Sequence, residues 1–241
     1  MVESEKKLDQ TIKGLLIMRH GERIDNTEFN QLLSEYDPEL TSKGINQAID
    51  IGKQLKKSLK NEIKLINLYC SPFTRTIMTG LNVINQINEN RKSNIILVKS
   101  LSEVCSENNF KYVPFDSLLI NNKIAKKDLY KKFLGIKENF EFKKENDFYP
   151  KYPENFNEAI DRYRKIANIL LDDILKDKEN SMNIIVTHGY GVQAITEEYM
   201  SKCENSKEIL RKEDFFIDYC TSYCFNILEN NLRFIGRIEP D

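Results

Sequence analysis

The sequence predicts an α/β protein: a three-layer sandwich with a mostly parallel central sheet flanked by helices. Short, wholly apolar runs of strand length alternate with longer segments that carry apolar residues at helical spacing. Each apolar run ends in a small polar cluster, as buried strands of such sheets do. The chain has 241 residues, 40% of them hydrophobic and 30% charged. That length suits one large domain with a sizeable core.

Gly14-Leu15-Leu16-Ile17-Met18-Arg19 reads as the first strand. Thr41 then offers an N-cap before Gly44, and Ile45, Ala48, Ile49, Gly52 and Leu55 follow on one helix face. Residues 64–70 form a second strand that ends at Ser71-Pro72. The next helix carries Ile77, Leu81, Ile84 and Ile87, and Ile95–Val98 gives a third strand. From about 104 to 153 the periodicity fails, broken by Pro114, Pro150 and Pro153. A Lys-rich helical piece near Asp128–Leu134 is expected there. Its aromatic residues (Phe110, Tyr112, Phe115, Tyr130, Phe133, Phe140, Phe142) make either a lid over a site or a small satellite core. The lysines at 126, 127, 131 and 132 read as a solvated helix face. Residues 156–175 give the clearest helix, with Phe156, Ala159, Ile160, Tyr163, Ile166, Ala167 and Leu170. Met182–Thr187 is a fourth buried strand, followed by a helix near Tyr190–Tyr199. Two closing strands, Ser222–Leu228 and Leu232–Ile238, lie close enough for a hairpin. With no repeat or linker, residues 1–241 read as one domain carrying an insertion at about 104–153.

Composition excludes several functions. A net charge of −1 leaves no basic field for nucleic acid or an anionic membrane. No apolar run approaches membrane-spanning length, and the charged N-terminus lacks a signal-peptide core. Two histidines cannot supply three imidazole ligands, so no metal site of that kind is expected. The five cysteines (Cys70, Cys105, Cys203, Cys220, Cys224) are odd in number and scattered. They form no disulfide framework, and Cys220 with Cys224 lacks the partners of a zinc site. A reduced, cytoplasmic protein is expected.

In open α/β sheets, ligands bind beyond the carboxyl ends of the strands. Arg19-His20-Gly21-Glu22-Arg23 follows the first strand and Ser71-Pro72-Phe73-Thr74-Arg75 the second. Leu101-Ser102-Glu103 follows the third, and His188-Gly189 the fourth. Both histidines of the chain and three of its nine arginines thus fall at one rim. Guanidiniums bind a phosphoryl dianion in a planar, bidentate way. A neutral imidazole can attack phosphorus, and a second, if cationic, can stabilise the charge that develops. A carboxylic acid can protonate the leaving oxygen and then activate water. The glycine after each histidine removes bulk where a ligand approaches the backbone.

These motifs resemble the histidine phosphatase superfamily, in its phosphoglycerate-mutase-like branch, over about residues 14–238. Arg19-His20-Gly21 matches the family signature, and Leu40-Thr41-Ser42-Lys43-Gly44 with Gln47-Ala48 matches its helix start. Ser71 to Thr76, Glu103 and Thr187-His188-Gly189 stand in the remaining places, in order. The resemblance implies that His20 is the nucleophile and Glu103 the proton donor, with Glu107 as the alternative acid. It implies that Arg19, Arg75 and His188 bind the phosphoryl group, with no cofactor and no metal. The run through Arg23 is similar to the Sts-type phosphatases of T-cell signalling, in which the second arginine also lines the pocket; a solvated Arg after a tight turn is the alternative. Glu22 reads as a structural partner of a nearby cation. The activity implied is a metal-independent phosphomonoesterase acting on a phosphorylated small molecule or phosphoprotein. A phosphoglycerate mutase and a catalytically silent interaction module are the alternatives. Arg23-Ile24-Asp25 and Val104-Cys105-Ser106 depart from the mutase pattern, and no catalytic residue type is missing. Substrate identity and oligomeric state are not legible.

Overall fold

The computed structural model describes residues 11–24, 37–110, 140–142, 150–203 and 217–241. Seven strands form one sheet: β1 (Lys13–Arg19), β2 (Leu65–Cys70), β3 (Lys92–Leu97), β4 (Phe140–Phe142), β5 (Ser181–Thr187), β6 (Ser222–Leu228) and β7 (Asn231–Ile238). Their spatial order is β4-β3-β2-β5-β1-β6-β7. Among the described residues four α-helices accompany them: α1 (Ser42–Ser58), α2 (Thr74–Ile87), α3 (Phe156–Lys176) and α4 (Gly189–Met200).

The sheet is mixed rather than mostly parallel. The pairs from β4 through β1 are parallel, whereas β1–β6 and β6–β7 are antiparallel. The cause is the closing hairpin, whose two-residue turn puts Glu229 (φ 52°) and Asn230 (φ 64°) in the left-handed region. Two successive left-handed residues give the twist that a tight hairpin requires, and Asn tolerates it well.

Strand alternation splits the core in two. Leu15 and Ile17 of β1 face a cluster with Tyr163, Ile166 and Leu170 of α3 and Val192 and Ile195 of α4. Leu16 and Met18 face the opposite cluster, with Ile51 of α1 and Ile77, Leu81 and Ile84 of α2. Helices therefore cover both sheet faces, as three layers demand. α1 starts where expected, with the Thr41 hydroxyl accepting from the Gly44 amide. α3 carries a full capping box between Asn155 and Glu158.

Strand β4 was not expected. It holds Phe140 and Phe142, runs parallel to β3, and lies inside the irregular 104–153 stretch. Three residues are too few to show a period of two. The expected helix at 128–134, its lysines, and Tyr112, Phe115, Tyr130 and Phe133 fall outside the described residues. Phe110 packs with Phe73 and Cys105 in a small satellite core. No described helix is long and apolar enough to cross a membrane. The five cysteines form no disulfide. Burial pushes the Cys224 thiol up to about 11, so it stays protonated.

Candidate active site

Strands β3, β2, β5 and β1 are neighbours in space, so the segments leaving their carboxyl ends converge. His20 follows β1, and its amide donates to Thr187 O at the end of β5. Ser71 follows β2 and donates its amide to Val186 O, also on β5. His188 is the N-cap of α4, and Arg75 stands in the first turn of α2. Glu103 comes two residues after the 3-10 turn Lys99–Leu101 that follows β3. A cavity of about 550 Å³ opens over this rim, lined by Arg19, Arg23, Arg75, Glu103, Tyr190 and Gln193 among others.

The structure brings every predicted site residue to this place. The His20 and His188 rings lie 5.3 Å apart, centre to centre. His20 Nδ1 sits 2.8 Å from Gly21 O. A carbonyl only accepts, so Nδ1 carries the proton and Nε2 keeps its lone pair. Burial, then the Arg75 guanidinium, then His188 hold the His20 pKa well below its ordinary value. His20 is therefore a neutral imidazole with a defined tautomer.

His188 is held between two partners. Ser71 Oγ donates to Nε2 at 2.9 Å, and Nδ1 lies 3.1 Å from Glu103 Oε2. The Arg75 Nη2 group lies 3.5 Å from the same carboxylate oxygen. For His188, burial lowers the pKa, Glu103 raises it, and Arg75 and Arg19 lower it again; the net direction is down. The ring is therefore neutral, whereas charge stabilisation by a second imidazole calls for a cationic one. For Glu103, burial alone would raise the pKa, but His188 and the Arg75 guanidinium hold it well below the carboxylate range. Glu107 is exposed and does not line the cavity, whereas Glu103 does.

Arg19 reaches the cavity with Nη1 donating to Ile217 O at 2.9 Å and its guanidinium 4.3 Å over the Tyr219 ring. Its buried Nε has no hydrogen-bond partner among the described residues. A buried, unmatched donor beside an arginine-lined cavity is suited to an oxyanion. Arg23 also lines the cavity and forms an isolated antiparallel bridge with Leu40. Glu22 is the structural partner expected: it accepts from Thr41 Oγ1 at 2.8 Å and pairs with Lys43 at 3.2 Å.

The glycines need a correction. A Cβ on Gly21 would lie 2.4 Å from Gly44 O, and one on Gly44 would lie 2.3 Å from Glu22 O. Gly21 is thus small to admit the backbone of α1, not a ligand. At Gly189 the nearest atom is Arg19 Nε at 3.8 Å, on the cavity side. Gly21→Ala is accordingly expected to cost about 1–3 kcal/mol of stability by overpacking, with Gly189→Ala near neutral. Urea melts of both variants check this; equal midpoints would refute it.

Three contributors were missed in sequence. Asp37 accepts from the Thr74 amide at 2.6 Å and its hydroxyl at 2.7 Å, and so caps α2 beside Arg75. Tyr219 stacks near both Arg19 and His20 (5.7 Å between ring centres). Tyr190, half exposed, meets Phe156 edge-on at the mouth. None has a local pattern that announces it; Asp37 alone could have been sought, because α2 begins at Phe73 without a side-chain cap.

Donor atoms of His20, Glu103 and His188 all lie within 4.8 Å of one another. Counting histidines had excluded only a three-imidazole site, and this set is of the two-histidine, one-carboxylate kind. Yet both His188 nitrogens and His20 Nδ1 are already engaged, and two guanidiniums face the cluster. The field favours an anion.

Residues 15–110 match the family model described as histidine phosphatase superfamily (branch 1). No curated protein matches the chain in sequence. Among solved structures, the chain is similar to an ecdysone phosphate phosphatase from Bombix mori, crystallised with tungstate. That likeness has 16% identity and a TM-score of 0.64, covering 95% of this chain and 94% of that one. It is also similar to a phosphoglycerate mutase from Bacillus anthracis, with 19% identity and a TM-score of 0.56, over 95% and 93% of the two chains. At such identities these likenesses speak for the fold, which runs end to end. The family match covers the segments that carry Arg19, His20, Arg75 and Glu103, and the likeness in fold covers nearly the whole chain.

Proposed function

We propose that the protein is a metal-independent phosphomonoesterase that works through a phosphohistidine on His20. One observation carries this: a neutral His20, with its proton fixed on Nδ1, packs against His188, whose Nδ1 meets Glu103 at the wall of an arginine-lined cavity. Arg19 and Arg75 hold the phosphoryl oxygens, and the start of α4, which has no side-chain cap, adds its positive end. Nε2 of His20 attacks phosphorus, the P–N bond forms, and the bond to the leaving oxygen breaks as Glu103 gives that oxygen a proton. Water then attacks, the P–N bond breaks, and the water proton passes to Glu103. His188 turns its Nδ1 proton from Glu103 to an equatorial oxygen and gains charge stabilisation as the dianion arrives. Phosphorylated small molecules and phosphoproteins both suit the open cavity. The unbridged thiols suit a reducing compartment, and we place the protein in the cytoplasm.

The purified protein is expected to hydrolyse an activated aryl phosphate at undiminished rate in EDTA. Quenching during turnover with a radiolabelled monoester should trap an acid-labile, base-stable adduct. Loss of activity in EDTA, restored by a divalent metal, would sink the mechanism. Interconversion of phosphoglycerates much faster than hydrolysis would make it a mutase instead.

The pH profile follows from the site. The lowered pKa keeps Glu103 ionised, so its proton must come with the substrate, whose second ionisation lies at about pH 6. The bound phosphoryl dianion offsets the arginine charge that held Glu103 down. Hence kcat/KM should fall roughly tenfold per pH unit above that ionisation. On the acid side His20, with its lowered pKa, stays neutral well below pH 6.5, and activity is lost only as pH falls through that lowered value. A profile flat from pH 5 to 9 would count against Glu103.

A further inference from the structure

We propose that Arg162, Glu154 and Tyr163 form a positioning clamp that sets Glu103 in place for proton transfer; this rests on Glu103 being the acid. The loop from residue 100 to 105 belongs to no strand or α-helix, yet its backbone is buried and its carbonyls need donors. The structure supplies one for each of three in succession. Arg162 Nη1 donates to Ser100 O at 2.6 Å and to Ser102 O at 3.1 Å. Thr187 Oγ1, next to His188, donates to Leu101 O at 2.7 Å. Tyr163 Oη donates to Ser102 O at 2.5 Å, so two side chains converge on the carbonyl of the Ser102–Glu103 peptide.

Arg162 is itself locked. Its Nε and Nη2 each lie 2.7 Å from a different oxygen of Glu154. That fork leaves Nη1 directed at the loop, with a rigidity a lysine lacks. Glu154 closes the far side: it accepts from the Cys105 amide at 3.2 Å, and its own amide donates to Cys105 O at 2.9 Å. Glu103 is therefore gripped one residue before and two residues after. Arg162 is 5% exposed and Glu154 3%. Neither touches the cavity. Their effect on chemistry passes through the distance from Glu103 to His188 and to the leaving oxygen.

A buried ion pair that merely holds the fold would lower activity on every substrate alike, by lowering the folded fraction. A clamp on the acid gives a different signature, because a good leaving group departs without a proton and a poor one does not. Tyr163→Phe, which removes a single hydroxyl, Glu154→Gln and Arg162→Lys are compared with the parent protein. The readout is kcat/KM, which reports phosphoryl transfer to the enzyme, for a nitrophenyl phosphate and an alkyl phosphate. Displacement of an acid by about an ångström predicts a loss of roughly 10- to 100-fold on the alkyl ester, with the nitrophenyl ester within about twofold. Equal losses on both esters, or no loss on either, would overturn the clamp. Should Arg162→Lys not fold, Tyr163→Phe and Glu154→Gln still decide. Glu103→Gln is the separate control: if it lacks the leaving-group signature, the assignment of the acid fails. If it shows the signature and the clamp variants do not, the clamp alone fails.

Discussion

His20→Ala is expected to lower kcat for an activated aryl phosphate on the order of 10⁵-fold, since removing a nucleophile removes the covalent route entirely. The variant should still bind phosphate. Arg19 and Arg75 keep their anchors on Ile217 O and Glu103. The backbone at position 20 also keeps its place, because its amide bonds to Thr187 O and its carbonyl accepts from Cys220. A thermal shift on adding phosphate, alongside lost turnover and no trapped adduct, is the expected combination. Hydrolysis retained within tenfold would remove His20 from the mechanism.

Arg75→Ala should be the second largest loss, about 10³-fold in kcat/KM. Arg75 is 1% exposed and stands at the junction of the site. Its Nη2 lies 3.3 Å from His188 Nδ1 and 3.5 Å from Glu103, and its plane lies 4.5 Å from the centre of the Phe73 ring. Removing it takes away a phosphoryl donor and also one of the groups, after His188, that hold the Glu103 pKa down. The Glu103 pKa then rises, so the variant loses rate and stability together. A destabilisation of about 3 kcal/mol is expected, because a largely buried carboxylate loses one of its two close partners and keeps only His188. Arg75→Lys should recover stability better than rate, since an ammonium keeps the charge and loses the fork. Rates within tenfold of the parent for Arg75→Ala would show that the phosphoryl group lies elsewhere.

Much of this site was legible because its residues sit where apolar runs stop. Arg19-His20, Ser71 to Arg75 and His188-Gly189 each follow a strand that burial made recognisable, and strand ends in such sheets are where ligands bind. The start of α1 was equally readable, since Thr41 caps it through a local bond to Gly44. What stayed hidden depends on partners far along the chain. Asp37 caps a helix 37 residues later, and Arg162 reaches a loop about 60 residues earlier. In sequence, Arg162 is one charge on a helix and Glu154 one charge after a proline. Gly21 was seen but misread: only the fold shows that the α1 backbone, rather than a ligand, fills its missing side chain. The parallel character of the sheet was overstated because periodicity reveals strands but not their direction.

Strand β5 lies between β2 and β1, although it follows both by more than a hundred residues. While the chain is being made, β1 and β2 emerge first and have no ladder to share. Arg19, His20, Arg75 and Glu103 are then all synthesised, yet the slot between their strands is vacant. Only the arrival of residues 181–187 fills it, and the same stretch delivers Thr187 and His188. Pairings over such separations are slow to form, since the loop entropy is lost before contacts repay it. The meeting of Arg19, His20, Arg75 and His188 therefore dates from the moment the sheet closes. A nascent chain released early is expected to carry His20 and Arg75 without the site they form together.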